Sequence, residues 1–573
     1  MSSDYQYGDD CLQRLLSLKA ASRLGSADPT LFAGDIKIIE HVKSNLGWVR
    51  LASNPPMPLK DIMQLASEFT SEGIEAVILI GQGGSSQAAM TITKLNEVAN
   101  AAQQPVAFRT MDSLSPVFVS HILGSSDPAK TVYIVSSKSG STIEPLMLER
   151  VAWRYAAAHL GSQKAASRFV AITEPGSELA EHAAARNYRL IVPAEQNVGG
   201  RFSALTVSTL FPAALVGIDV DEVLAAAAQT EAQCVKDSPD NPALQLACFI
   251  YSAYLSGRDK FSLVMPPSGQ VFGLWIEQMV AESLGKNGVG ILPNVEVDAS
   301  ILASPHSDRS VITYAVGEVD GFAESIANID PSTPQLHMTI DDPIQAFSRF
   351  IVWEYATAFL SILMDVYPFD QPDVELTKTI AKRLLSGEDN NSCSEIVEFT
   401  PQDSYVYELR ASKTLIGEKE ADEEEPSLDK LLRVLLGSLK AGDHFCLNAF
   451  LPFRGYGRRE ALERMRNRTA ARLGVVSCLE IGPRYLHSTG QLHKGGPNNG
   501  VFMILSSDEI DDITIPDTSY TLGTLAKIQA EADFIALAER GRRVLHVHLS
   551  DNDSETLSRF ADRFCSAVSA IKV

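Results

Sequence analysis

Thr131-Val132-Tyr133-Ile134-Val135-Ser136-Ser137-Lys138-Ser139-Gly140-Ser141-Thr142-Ile143-Glu144-Pro145 decides the fold class. Its first half is a short run of β-branched and aromatic residues, the pattern of a buried strand. Its second half is hydroxyls around one glycine, followed by an apolar stretch that can begin a helix. A strand that breaks into such a loop at a helix start presents free backbone N–H groups at the positive end of the helix dipole. Hydroxyls of Ser137, Ser139, Ser141 and Thr142 can donate to a phosphate there, and Lys138 can add charge. A Walker-type loop would carry more glycine and a terminal Gly-Lys-Ser/Thr, so a nucleoside triphosphate is not expected. Taken alone, a Ser-rich turn that only caps a helix reads the same way.

The neighbouring loops decide between these. Ala76-Val77-Ile78-Leu79-Ile80 is a second apolar strand, followed by Gly81-Gln82-Gly83-Gly84-Ser85-Ser86 and a helix-forming stretch from Gln87. Its glycines let backbone approach a ligand closely, and Ser85 can cap the helix and touch an anion. The third glycine directly follows the second, so the dinucleotide fingerprint is not met. Phe169 to Thr173 is a third buried strand, ended by Glu174-Pro175-Gly176. Strands separated by helical stretches of this length indicate parallel βαβ units with helices on both faces. Ligands then sit at the carboxyl ends of the strands, where these loops fall. Asn197-Val198-Gly199-Gly200-Arg201-Phe202-Ser203 sets an arginine straight after two glycines. It is either a tight turn with an exposed Arg or a guanidinium aimed at developing negative charge.

Composition bounds the partners. The 573 residues suggest about three or four domain-sized units. Lys plus Arg minus Asp plus Glu is 49 − 71 = −22, so the surface should repel nucleic acid and acidic membranes. An acidic protein that binds an anion must concentrate its cations locally. Seven scattered cysteines without a Cys-x-x-Cys pair fit reduced thiols in the cytoplasm. The polar, acidic stretch Met1 to Asp10 is unlike a secretory signal, and no apolar run of membrane-span length is expected.

The boundaries follow from breaks in pattern. Residues 1–60 read as a helical lead-in and 61–238 as a first domain, closed by Asp237-Ser238-Pro239-Asp240-Asn241-Pro242. A second domain covers 239–415, an acidic linker 416–428, and a C-terminal α/β portion 429–573. The second domain opens with a strand from Lys260 to Met265 and an amphipathic helix through Trp275 that stops at Gly285. Glu282 sits near that helix's C-terminus, where the dipole disfavours a carboxylate, a setting suited to a working base. From spacing alone Glu277, Glu282 and Lys286 favour the reading of surface charges. Tyr367-Pro368-Phe369-Asp370-Gln371-Pro372 fixes a sharp entry into a helix carrying Lys378 in its early turns. The C-terminal portion contains a strand from His444 to Phe450, a basic helix from Arg458 to Arg472, and a cationic loop, Gly482 to Pro497, holding Arg484, His487, His493 and Lys494. His546 and His548 share one face of a strand and lack partners at metal spacing, so they read as structural.

Together Gly81 to Ser86, Ser137 to Thr142, Val198 to Ser203, Glu282-Ser283-Leu284-Gly285-Lys286, Phe369 to Lys378 and Leu486 to Pro497 resemble the glucose-6-phosphate isomerase family, most of all the isomerase portion of bacterial transaldolase–isomerase fusions. The resemblance covers the chain from about residue 70 onward; residues 1–60 are too short for a transaldolase half. It implies an α/β fold with two doubly wound, parallel-sheet sugar-isomerase (SIS) domains, helices on both faces, and a C-terminal α/β portion that completes the second domain or the active site. It implies aldose–ketose isomerisation of glucose 6-phosphate and fructose 6-phosphate without metal or organic cofactor, on a sugar-phosphate substrate, and a homodimer unless the C-terminal portion supplies in cis what other chains borrow. On this model Gly84, Ser85, Ser137, Ser139, Ser141 and Thr142 hold the phosphate beside Lys138, while Gly200 and Gln371 help fix the substrate. Glu282 moves the proton between C1 and C2, Arg201 stabilises the enediolate, and Lys378 with a histidine opens the ring.

Three departures stand out. The family's Ser-Asn-Gly-Lys is Ser283-Leu284-Gly285-Lys286 here, the phosphate loop is poorer in threonine, and the ring-opening histidine is missing from its usual Gln-His setting. Thr489-Gly490-Gln491-Leu492-His493 resembles that block moved toward the C-terminus, which favours His493 over His487 and His306. Acceptance of mannose 6-phosphate, and a non-catalytic sugar-phosphate sensor, are the competing readings.

Overall fold

The computed structural model describes residues 9–32, 36–55, 59–99, 106–296, 298–317, 321–387, 394–417, 427–453 and 457–572. The core of the predicted acidic linker, 418–426, and Cys393 lie outside the described residues. The chain is α/β, as expected. Strands β1 (Ala76–Ile80), β2 (Ala107–Met111), β3 (Thr131–Ser136), β4 (Phe169–Thr173) and β5 (Leu190–Pro193) form an all-parallel sheet in the order β2-β1-β3-β4-β5. β1, β3 and β4 are buried along their whole length. On one face Val77, Leu79, Val132, Ile134, Val170 and Ile172 pack with Phe69 and Phe211. Both faces are covered, which is why these strands read as unbroken apolar runs.

A second all-parallel sheet, β7-β6-β8-β9, is built from β6 (Lys260–Val264), β7 (Leu292–Glu296), β8 (Arg309–Val316) and β9 (Gln335–Ile340). A third has the order β10-β11-β15-β14-β12-β13, from β10 (Ile396–Phe399), β11 (Val406–Ser412), β12 (His444–Phe450), β13 (Val476–Ile481), β14 (Gly500–Ser507) and β15 (Arg543–Leu549). β12 to β15 run parallel, and β11 pairs antiparallel with β10 and β15. The C-terminal residues thus build a sheet of their own.

Contacts gather Met1–Asp112, Ile122–Leu284 and Ile291–Asp370 into one compact unit, which holds the first two sheets. Ser113–His121, Gly285–Gly290 and Gln371–Val573 form a second, which holds the third. Inside the first unit, the helix Pro343–Met364 packs Phe347, Phe350, Trp353 and Phe359 into the largest apolar cluster, with Phe261, Trp275 and Phe249. Against the expectation from sequence, the window Ile344–Met364 is long and apolar enough to cross a membrane. Of an 18-residue window within it, 78% is buried inside the protein, the setting of a core helix.

Candidate active site

The 81–86, 137–142 and 196–203 segments follow β1, β3 and β5 at the carboxyl ends of the first sheet and hold one another. A Cβ at Gly84 would stand 1.8 Å from the Gly200 carbonyl oxygen, so the two backbones approach as closely as glycine permits. Ser203 Oγ donates to the Gly84 carbonyl at 2.9 Å. Gly140, at φ +60°, adopts a turn that only glycine enters freely, and a Cβ there would meet Ser177 Oγ at 2.4 Å. Ser137 Oγ and Gln82 Oε1 are buried and have no hydrogen-bond partner among the described residues. Ser85 ends a short 3₁₀ turn, Gly83–Ser85, ahead of the helix Gln87–Ala99. Ser139 and Ser141 are exposed, with Ser141 Oγ 3.1 Å from Ser139 Oγ. Thr142 occupies the N-cap position of the helix Ile143–Leu160, yet its side chain makes no capping bond. Lys138 does not point out as a loose cation: its Nζ donates to the carbonyls of Gln196 at 2.7 Å and Val198 at 2.9 Å. It ties the hydroxyl-rich loop to the segment that leads into Arg201.

Arg201 is 5% exposed and bonded along its whole edge. Nε donates to Ser283 Oγ at 2.9 Å, and Nη2 to the carbonyls of Asp370 at 2.9 Å and Pro368. Nη1 lies 3.0 Å from Glu282 Oε1. Glu282 Oε2 accepts from Gln278 Nε2 at 3.1 Å, so each carboxylate oxygen faces one donor. The helix Gln270–Leu284 delivers Glu282 and Ser283 in its last turn, with Gly285 beyond its end as expected. It is enclosed on most sides, which overturns the surface reading: Glu277 is buried and accepts from the Val295 N–H at 2.9 Å, and Lys286 is 2% exposed. Ser283 and the two carbonyls were not singled out from sequence as partners of Arg201; a hydroxyl next to the base in the same helical turn was the available signal.

Of the remaining predicted residues, Lys378, Gln371 and His493 lie in the second unit and His306 in the first. Lys378 is exposed on the helix Pro372–Leu385 and pairs with Glu375 at 2.7 Å; Gln371 precedes that helix. His493 is 2% exposed, its Nε2 3.6 Å from Cys446 Sγ and its ring 5.0 Å from that of Phe502. Burial pushes its imidazole well below the usual range, with Lys494, His444 and Arg542 adding to the effect. The loop read as a cationic cluster is an internal brace instead. Lys494 Nζ pairs with Asp533 at 2.6 Å, both fully buried, and Tyr485 donates to the same carboxylate at 2.6 Å. Gln491 accepts from the Asp373 N–H at 3.0 Å and donates to the Gly285 carbonyl at 3.0 Å. His306 Nε2 sits 2.8 Å from the Ile301 carbonyl.

A carboxylate and a guanidinium held together and largely buried can move a proton beside a carbonyl and stabilise the oxyanion that results. Comparison with known proteins bears on which such reaction this is. The phosphoglucose isomerase family model matches residues 65–299. The glucose-6-phosphate isomerase of Alkaliphilus metalliredigens is 27% identical over 385 residues, 58% of this chain and 85% of the relative. A protein of Haloarcula marismortui described as "Probable glucose-6-phosphate isomerase" is 30% identical over 363 residues, 56% of this chain and 81% of the relative. In fold, the chain is similar to a crystal structure of a glucose-6-phosphate isomerase from Chlamydia trachomatis, with a TM-score of 0.51 and 18% identity over 67% of this chain and 87% of that one.

Proposed function

Because this chain belongs to the phosphoglucose isomerase family, we propose that it interconverts glucose 6-phosphate and fructose 6-phosphate through a cis-enediolate, a step of glycolysis and gluconeogenesis. The observation that carries the assignment to residues is the buried Arg201–Glu282 pair, with its contact of 3.0 Å. The open-chain aldose binds with its phosphate on Ser85, Ser137, Ser139, Ser141, Thr142 and the backbone at Gly84, and Gly200 helps fix the substrate. The Glu282 carboxylate takes the proton from C2, and the C1 carbonyl oxygen becomes the enediolate oxygen. The acid so formed returns a proton to C1, while the C2 hydroxyl gives its proton to the C1 oxygen and becomes the ketose carbonyl. Arg201 stabilises the negative charge between the two steps, and the donors that fix its guanidinium mean little reorganisation is needed at that moment. Lys378 and His493 complete the reading as the ring-opening pair, Lys378 from an exposed position, His493 on the strength of its sequence pattern. Gln371 helps fix the substrate. A homodimer and a cytoplasmic location belong to the same reading, and light scattering of the purified chain checks the first.

The test is a coupled isomerase assay with incorporation of solvent deuterium at C1 and C2. Glu282→Gln is expected to bind fructose 6-phosphate nearly as wild type while turnover falls by about 10²–10⁴, the usual worth of a positioned base. Binding without turnover or deuterium uptake in the wild-type chain would identify a sensor instead.

A further inference from the structure

Four aromatic rings run in a row through the two segments that carry and hold Arg201. Phe202 follows Arg201 in its turn, and Phe369 stands between Pro368 and Asp370, whose carbonyls accept from the guanidinium. These two rings lie 5.3 Å apart. Trp48 stacks on Phe202 at 4.8 Å, and Phe32 meets Phe369 edge-on at 5.2 Å. The outer two rings come from the N-terminal lead-in, to which the reaction scheme gives no part. The local backbone explains how Trp48 reaches its place. Leu46 and Val198 form an antiparallel bridge, and the Gly47 N–H donates to the Asn197 carbonyl at 2.7 Å. A Cβ at Gly47 would stand 2.6 Å from that carbonyl oxygen, so the approach needs glycine. Lys138 takes the Gln196 and Val198 carbonyls on either side of it in sequence. Three successive carbonyls on the way to Arg201 are thus engaged, and the residue after Gly47 stacks on the residue after Arg201.

Trp48 is 1% exposed, and Tyr355 meets it edge-on at 5.1 Å, so the indole has no room to swing away from Phe202. Its Nε1–H has no hydrogen-bond partner among the described residues, so packing rather than a polar anchor holds it there. Ring pairs prefer particular stacked and edge-on arrangements, and therefore fix orientation as well as burying area. What the lead-in grips is the residue beside the arginine in the chain and the residue between its two carbonyl acceptors. A guanidinium that must meet charge developing at two carbons tolerates little displacement: a shift of about 1 Å can cost about 10²-fold in rate. All of these residues belong to the first compact unit.

We propose that Trp48 and Phe32 are positioning residues for the isomerisation: from the lead-in they clamp Phe202 and Phe369, and so fix both the turn that carries Arg201 and the carbonyls that hold its guanidinium. This rests on the role given to Arg201 above. The test uses the full-length chain, with fructose 6-phosphate as substrate and 5-phosphoarabinonate, titrated by calorimetry, as a mimic of the enediolate. Trp48→Leu and Phe32→Leu each remove a ring from one end of the row, while Trp48→Phe keeps a ring on Phe202. Each Leu variant is expected to lose about tenfold in kcat with KM within about twofold, and to bind the mimic about tenfold more weakly at an unchanged number of sites. A merely structural role would lower the number of sites and leave their affinity alone. Trp48→Phe is expected to stay within about threefold of wild type. In the Arg201→Ala background Trp48→Leu should cost less than a further twofold or so, since a residue that acts through another cannot act after its removal. Wild-type affinity for the mimic in either Leu variant, a loss in Trp48→Phe equal to that in Trp48→Leu, or full additivity with Arg201→Ala overturns the proposal. Should Trp48→Leu fail to fold by circular dichroism, Phe32→Leu, at a half-buried position, still decides it. A wild-type chain without isomerase activity would sink the functional reading itself, and the proposal with it; an active chain indifferent to both rings sinks the proposal alone.

Discussion

Lys138 separates two roles that a lysine in a phosphate loop can play. Its ammonium holds the Gln196 and Val198 carbonyls, and Glu174 lies 3.7 Å away, so its charge is already engaged within the protein. Lys138→Met removes two charge-assisted hydrogen bonds and leaves their carbonyls without a donor, and is expected to lower stability by about 1–3 kcal/mol. Thermal denaturation beside KM measurement checks this. A large rise in KM with an unchanged melting temperature would make Lys138 a phosphate ligand rather than a tether. From sequence only the charge and its place in the loop could be read. The carbonyls that engage it come from residues 58 and 60 positions further along, and no local pattern reports them.

At the scale of elements, sheet strands with two covered faces were legible and edge strands were not. β1, β3, β4 and β12 stand where their apolar runs place them. β2 (Ala-Phe-Arg-Thr-Met) and β5 (Leu-Ile-Val-Pro) lie at the two edges of the first sheet, partly exposed, and carry no clear period. The third sheet hid more. One of its faces is apolar, with Phe445, Leu447, Val501, Met503, Leu545 and Val547 in a single cluster. His444, Asn448, Glu480, Ser506, His546 and His548 alternate with such residues along the same strands, and all are buried. The two histidines read as structural belong to a chain of hydrogen bonds whose direction can be worked out. The Asp508 carboxylate can only accept, so His548 donates from Nε2 at 3.0 Å. Its Nδ1 then accepts from Ser506 at 2.8 Å, Ser506 accepts from His546 Nε2 at 2.8 Å, and His546 Nδ1 accepts from Arg410 at 3.2 Å.

Titration of this sheet gives a prediction with opposite limbs. Burial pushes Glu480 up to about 7 from 4.5, against the weaker pull of Thr489 and Arg484. The folded state therefore keeps a proton that the unfolded chain releases. That contribution to stability is full below about 4.5 and is lost as pH rises through about 7. Burial holds His493 and His546 below their ordinary value of 6.5, so their contribution runs the other way, lost as pH falls below about 6.5. Glu480→Gln should gain stability relative to wild type between about pH 5 and pH 8, by about 2–3 kcal/mol, most of the roughly 3.5 kcal/mol that a rise from 4.5 to about 7 is worth. Urea denaturation at the two pH values measures it, and a constant difference would mean that Glu480 is ionised in the folded protein.

For the molecule as a whole, the third sheet and its apolar cluster lie entirely between Ile396 and Ile571. A stretch of that length can bury a core of its own. Residues 371–573 expressed alone are expected to unfold cooperatively in urea and to lack isomerase activity, since Arg201 and Glu282 are not among them; loss of the sheet's circular dichroism would show that the core depends on the rest of the chain. The helix Pro343–Met364 carries the same lesson on a larger scale: the sequence reading expected no apolar run of membrane-span length, and packing places this one in the core. The meeting of Gly84 and Gly200 sets a tolerance that is one-sided. A methyl group at 84 would act as a wedge against the opposite carbonyl, while one at 200 meets nothing within 4 Å. A library randomised at both positions and selected only for thermal endurance should return a single residue type at the first and a mixture at the second, so the spacing of the two loops is gauged from one side by a hydrogen atom.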